Sequence, residues 1–132
     1  MKKETINIQP TVKTPAVLLD PDGTIKISGR AIDESRTDFS DQIITWLDNY
    51  LLNPARITTV IIALEYLNSF NSIILTALLR RLLQIQQNSK VLVIKWYVEE
   101  GDDDLLERSQ YISSTLDFPI EYVVTENIKD FY

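Results

Sequence analysis

The sequence contains no cysteine and no histidine, has only three glycines in 132 residues, and nowhere approaches the apolar run needed to cross a membrane. Without cysteine there is no disulfide framework and no thiol nucleophile. Without histidine there is no imidazole acid or base, and together the two absences remove the usual nitrogen and sulfur ligands of zinc. The scarce glycines form no phosphate-cradling loop and no nucleophile elbow, and no paired-carboxylate arrangement can be identified. Any catalysis would rest on carboxylates, hydroxyls, Lys or Arg. Excess positive charge is also missing. Lys and Arg total 13 against 19 Asp and Glu, a net charge of −6, and the positives are dispersed apart from Lys2-Lys3 and Arg80-Arg81. Nucleic-acid binders carry a basic stripe, so nucleic acid is a poor partner. Met1 to Asn7 holds two lysines with no apolar stretch behind them, which is not a secretion signal. The expectation is a soluble cytoplasmic protein without membrane insertion.

What is present suits one domain. The apolar share is 45%, and a chain of this size buries roughly two thirds of the surface it exposes when unfolded. Charge is unevenly placed: residues 98–132 hold ten acidic and two basic side chains, leaving that third at −8 and the remainder at +2.

Residues 1–13 show no sustained period and read as a flexible N-terminal arm. Pro15 to Leu19 reads as a strand, Asp20-Pro21-Asp22-Gly23 as a turn, and Thr24 to Ser28, apolar at alternate positions, as the second arm of a hairpin. Gly29 to Arg36 is read as a loop. A helix is expected from Thr37 or Asp38, with Phe39, Ile43, Trp46, Leu47 and Tyr50 on one face, ended by Asn53-Pro54. Ile57 to Leu64 and Lys90 to Tyr97 are apolar on both alternations, the mark of strands covered on both faces. Between them, after Glu65-Tyr66-Leu67-Asn68-Ser69, a long helical segment runs to about Asn88; another helix follows from Asp102 to about Leu116, then a last strand from Ile120 to Val124. The expected fold is a single α/β domain with three main helices and a mixed sheet of about five strands, opened by the hairpin and continued by parallel crossovers.

In open α/β sheets, sites gather where strand-to-helix loops meet free helix N–H groups. Leu67-Asn68-Ser69-Phe70-Asn71-Ser72 occupies such a corner. Two readings stand side by side for Ser69. It is a helix N-cap, or it is a phosphoacceptor whose charge, about −1.5 to −2 when modified, acts on a docked partner. In the second helix Phe70, Ile73, Ile74, Ala77, Leu78, Leu82 and Ile85 form the expected core stripe. Leu75, Leu79 and Leu83 form another row, facing either a neighbouring helix or a partner. The acidic run Glu99-Glu100-Gly101-Asp102-Asp103-Asp104 with Glu107 invites a Mg²⁺-dependent hydrolase reading. Its spacing is not that of a calcium loop, and acids at a helix start are favoured by the dipole. Glu34 sits in a polar loop that is either a contact surface or featureless.

These residues line up with a known family. The sequence resembles the SiaC family of small bacterial regulators of biofilm formation, whose fold is similar to the STAS anti-sigma-factor antagonists. The matching pieces appear in order from residue 14 to about 122: Thr14-Pro15, Gly23, Ile25-x-Ile27-x-Gly29, Glu34, Trp46-Leu47, Leu64-x-Tyr66-Leu67-Asn68-Ser69, Trp96-Tyr97, Glu107 and Phe118-Pro119. The resemblance implies a STAS-like domain over 14–125, followed by a C-terminal tail, 126–132. It implies a non-catalytic partner switch without a cofactor. Ser69 would be phosphorylated by a Ser/Thr kinase and restored by a PP2C-type phosphatase, and the unphosphorylated form would activate a diguanylate cyclase that makes cyclic di-GMP. Asn68, Phe70, Asn71 and Glu34 would shape the partner-binding surface. A STAS-like antagonist acting on a kinase anti-sigma factor is the alternative. The chain departs from the family at Ala31-Ile32-Asp33-Glu34-Ser35, where Ser-x-Pro-Glu-Asn is usual. It also departs at Phe70 and Asn71, where small residues are usual, and at Ser109, where Gly is common.

Overall fold

The Asp20 to Gly23 turn is built by its own side chains. Asp20 Oδ1 accepts from Asp22 N at 3.0 Å, Asp22 Oδ1 accepts from Thr24 N at 3.1 Å, and Gly23 N donates to Asp20 O at 3.0 Å. Glycine is required at position 23: φ is +115°, and a Cβ there would lie 2.3 Å from the Ile57 carbonyl oxygen. The turn joins β2 (Ala16–Asp20) to β3 (Thr24–Ala31), antiparallel with Val17 opposite Ile27. In this computed structural model, residues 4–34 and 38–132 are described. The strand β3 continues to Ala31, three residues into the segment read as a loop. The expected helix start at Thr37 and the Phe39 side chain lie outside the description, as do Ser35 and Arg36.

The sheet has six strands in the order of the sequence, one more than expected. The addition is β1 (Ile6–Ile8), within the segment read as a flexible arm; it pairs antiparallel with β2 and sets Ile6 and Ile8 opposite Leu19 and Val17. Three residues are too few to reveal a period. The segment before it is tied down by Trp46, whose Nε1 donates to Glu4 O at 2.6 Å. From β3 onward the pairing is parallel, through β4 (Ile57–Leu67), β5 (Val91–Glu99) and β6 (Glu121–Thr125). The crossovers are α1 (Asp38–Tyr50), α2 (Ser69–Leu82), continued by a 3-10 turn over Leu83–Asn88, and α3 (Asp103–Leu116).

Each right-handed crossover steps one strand in the same direction, so all three helices cover one face. One core results: Ile25, Ile27, Val60, Ile62, Leu64, Ile94 and Trp96 from the strands meet Ile43, Trp46, Leu47, Leu78, Leu79, Ile112 and Leu116 from the helices. At its rim Tyr50 is fully buried, its hydroxyl 2.7 Å from Thr58 Oγ1 and accepting from Ala55 N at 3.1 Å. The expectation that β4 and β5 are covered on both faces is therefore corrected. Their other alternation faces away from the helices; Ile57 is half exposed, and Thr59, Ile61 and Lys95 are half-buried. Ile61 lies between Lys26 and Lys95 in register, residues whose aliphatic stems can cover an apolar neighbour while the charged heads stay in water.

Residues 126–132 dock on this open face beside the C-terminal ends of β4 and β5. Ile128 is buried and its N–H donates to Glu99 Oε1 at 3.0 Å. Phe131 stacks on Tyr97 with centroids 4.3 Å apart, and the Tyr132 hydroxyl donates to Glu65 Oε2 at 3.0 Å.

The expected core stripe of α2 is also corrected. Its buried residues are Leu75, Leu78, Leu79 and Leu82, so the row through Leu75 and Leu79 faces the sheet, whereas Ile73 is 72% exposed and Ala77 is exposed. Apolar side chains occupy both faces of this helix, so periodicity alone cannot choose between them.

Candidate functional site

A register shift between Gly29 and Arg30 pairs Arg30 with Tyr66 and reverses the alternation at the end of β4. Tyr66 turns outward beneath the Arg30 guanidinium, 4.6 Å from its ring centroid, and Leu67 turns into the core. The chain then leaves the sheet at Asn68, which caps α2: its Oδ1 accepts from Asn71 N at 2.9 Å. This decides which of the two good capping residues does the capping. Ser69 is the first helical residue, it is exposed, and the cap does not use its hydroxyl.

The corner is fastened to the loop after β3. Asn68 N donates to Ala31 O at 3.2 Å, Asn68 Nδ2 to Ile32 O at 2.9 Å, and Asn71 Nδ2 to Asp33 O at 2.9 Å. Glu34 follows directly and is exposed. The structure thus gathers Glu34, Asn68, Ser69, Phe70 and Asn71 at one edge, with the two Asn amides turned into the loop that carries Glu34.

Two hydroxyls stand one turn apart. Ser72 Oγ donates to Asn68 O at 2.8 Å and is half-buried, so its proton is committed; Ser69 Oγ has no such bond. Arg108, from α3, lies 3.4 Å from both oxygens through Nη1. Sequence reasoning missed it because it is 39 residues from Ser69. The one available signal was that it is the sole base in α3. The first turn of α2 has no acidic residue, so its free N–H groups and positive dipole end are not offset by a side chain.

Apolar surface flanks Ser69 on both sides. A groove of about 380 Å³ between α1 and α2 is lined by Pro15, Ile44, Phe70, Ile73, Ile74 and Ala77, with Asp33, Asp41 and Arg81 around them. A second, of about 490 Å³ between α2 and α3, is lined by Ser69, Ser72, Ile73, Thr76, Arg108 and Tyr111. Ile73 and Ala77 form the ridge they share.

The acidic run is used locally. Asp102 caps α3 by accepting from Leu105 N at 3.2 Å, Asp103 and Asp104 sit in its first turn, and Glu99 holds Ile128 N. Among the described residues no three acidic side chains converge as metal ligands do. Trp96 is fully buried in the core, and Tyr97 is half-buried under Phe131.

The model of the SiaC family regulatory phosphoprotein matches residues 8–125. The chain belongs to the SiaC family. Solved structures of SiaC from Pseudomonas aeruginosa share the fold. Apo-SiaC superposes with a TM-score of 0.77 at 20% identity, covering 92% of this chain and 98% of that one. SiaC as the activator in complex with the diguanylate cyclase SiaD gives 0.81 at 21% identity, covering 91% and 99%. No curated protein matches the chain in sequence. Its place among SiaC proteins makes it a family regulator, and among the described residues no helix is long and apolar enough to cross a membrane.

Proposed function

We propose that this SiaC family protein is a non-catalytic switch that binds and activates a diguanylate cyclase in the cytoplasm. Phosphorylation of Ser69 releases it, and a PP2C-type phosphatase restores it. The observation that carries the reading is the exposed Ser69 hydroxyl, left out of the cap by Asn68 and set at a helix N-terminus whose first turn has no acid. A Ser/Thr kinase would transfer the γ-phosphoryl group of ATP to Oγ, with loss of the hydroxyl proton and release of ADP. The new charge, about −1.5 to −2, is tolerated internally by the helix dipole. A docked partner would have to desolvate it or pair it, which weakens an interface built on Phe70 and Ile73 without unfolding the domain.

The test combines a cognate kinase and ATP with peptide mass spectrometry and a cyclase assay. Phosphate is expected on Ser69, and the wild type, but not S69A, is expected to lose cyclase activation after kinase treatment. Phosphate found only elsewhere, or activation by S69A as kinase-sensitive as that by the wild type, overturns the proposal. Recovery of an anti-sigma factor instead of a cyclase in a pull-down would favour the STAS-like antagonist reading.

A further inference from the structure

We propose that Arg108 holds the phosphate on Ser69 and so ties α2 to α3 in the phosphorylated protein. The inference rests on Ser69 being the phosphoacceptor and assigns the residue that receives the modification. Arg108 leans across the groove toward α2, with Nη1 at 3.4 Å from the oxygens of both Ser69 and Ser72. These contacts are long for N–H···O bonds, which centre near 2.9 Å. Because the Ser72 proton is given to Asn68 O, Ser72 meets Arg108 as an acceptor, and the guanidinium is oriented before any phosphate arrives. Among the described residues no carboxylate forms an ion pair with Arg108, although Asp104 and Glu107 lie within one turn on the same helix.

A half-buried arginine with no anionic partner among the described residues, its guanidinium aimed at an exposed hydroxyl, suits a phosphoryl group projecting from that hydroxyl. The planar fork can bind two phosphate oxygens at the 2.7–2.9 Å typical of charge-assisted bonds. The phosphorylated side chain would then close the upper end of the α2–α3 groove, beside Ile73 and Tyr111.

The experiment is a ³¹P NMR pH titration of the kinase-treated full-length chain, wild type against R108Q. A phosphoserine loses its second proton near pH 6. The charged groups at this corner are Asp33, Asp41, Arg80, Arg81 and Arg108 lining the two grooves, with exposed Glu34 on the adjoining loop and exposed Asp104 and Glu107 beside Arg108 on α3. Among the described residues only Arg108 touches Oγ, and it favours the dianion. The midpoint is therefore expected to rise by about half a pH unit or more in R108Q, and R108K is expected to fall between. Should R108Q fail to fold, R108M, which keeps the apolar stem, takes its place. Phosphorylated Ser69 with the same midpoint in wild type and variant overturns the inference while leaving the switch intact. Absence of phosphate at Ser69 overturns both.

Discussion

Replacing Asn68 with alanine tests whether one side chain joins the cap of α2 to the loop that carries Glu34. The amide oxygen accepts from Asn71 N at 2.9 Å and from Asn71 Nδ2 at 2.7 Å, and the amide nitrogen donates to Ile32 O at 2.9 Å. Loss of the N-cap costs about 1 kcal/mol. Loss of the bond to Ile32 O in this half-buried corner costs about 1 kcal/mol more, so N68A is expected to lose about 2 kcal/mol. N68D separates the two parts: its carboxylate still caps and is favoured at the helix N-terminus, but it cannot donate to Ile32 O, so its loss is expected to be about half as large. Equilibrium urea unfolding reads both. With a slope of about 1.5 kcal/mol/M the midpoint should fall by a little over 1 M in N68A and by about half of that in N68D. Amide exchange at Ile32 and Asp33, whose N–H groups donate to Lys13 O, should accelerate in both variants. A loss below about 0.5 kcal/mol for N68A, or N68D as unstable as N68A, would refute the coupling.

Two further expectations come from the edges of the core. Tyr50→Phe keeps the ring but removes the partner of the fully buried Thr58 hydroxyl and the acceptor for Ala55 N. A loss of about 1–2 kcal/mol is expected in thermal or urea unfolding, and an unchanged midpoint would contradict the assignment. The Tyr132 phenol, on a side chain still 46% exposed, is pushed above its ordinary value near 10, first by its partial burial, then by its hydrogen bond to the Glu65 carboxylate and that group's negative charge. The neutral phenol is the form the fold favours, so its contribution to docking the C-terminal segment is complete below pH 10 and is lost as pH rises through the raised value. Alkaline titration of phenolate absorbance should show one of the six tyrosines ionising last. Y132F should remove that phase; its survival in Y132F would assign it to another ring.

The parts of this fold legible in the sequence are those where one local pattern has one structural solution. The Asp20 to Gly23 turn, the alternation from Thr24 to Ile27 and the stripe of Ile43, Trp46, Leu47 and Tyr50 each specify an element and a face. Where two solutions satisfy the same pattern, the reading went astray. α2 is apolar on two sides, so the choice between Ile73 and Leu75 for the core is made by its docking on the sheet and not by its own period. Ile61 resembles a residue covered by a helix because Lys26 and Lys95, distant in sequence, flank it in space. The corner at Ser69 could be located from the chain alone. Which of Asn68 and Ser69 caps the helix could not, because both are good caps and the decision depends on Ile32 and Asp33, the loop carbonyls that the Asn68 and Asn71 amides reach.

The acidic C-terminal third bears on the proposed switch through Arg108, the one base of α3. A phosphate added to a chain of net charge −6 would by net charge alone be disfavoured, and α3 carries Asp103 and Asp104 at the same end of the sheet as Ser69. Net charge is the wrong quantity here, because exposed charges farther apart than about 8 Å are largely screened at physiological salt. Arg108 is half-buried and lies 3.4 Å from Ser69 Oγ, whereas Asp103, Asp104 and Glu107 are exposed. Coulomb attraction weakens with solvent exposure, so the half-buried cation in contact with Oγ counts for more than the solvated acids. Ser69 Oγ thus stands in contact with a cation, Arg108, and at the positive end of α2, inside a protein whose overall charge is negative. A phosphate placed there would be stabilised by its own chain while remaining a charge that an incoming acidic or apolar partner surface would have to exclude.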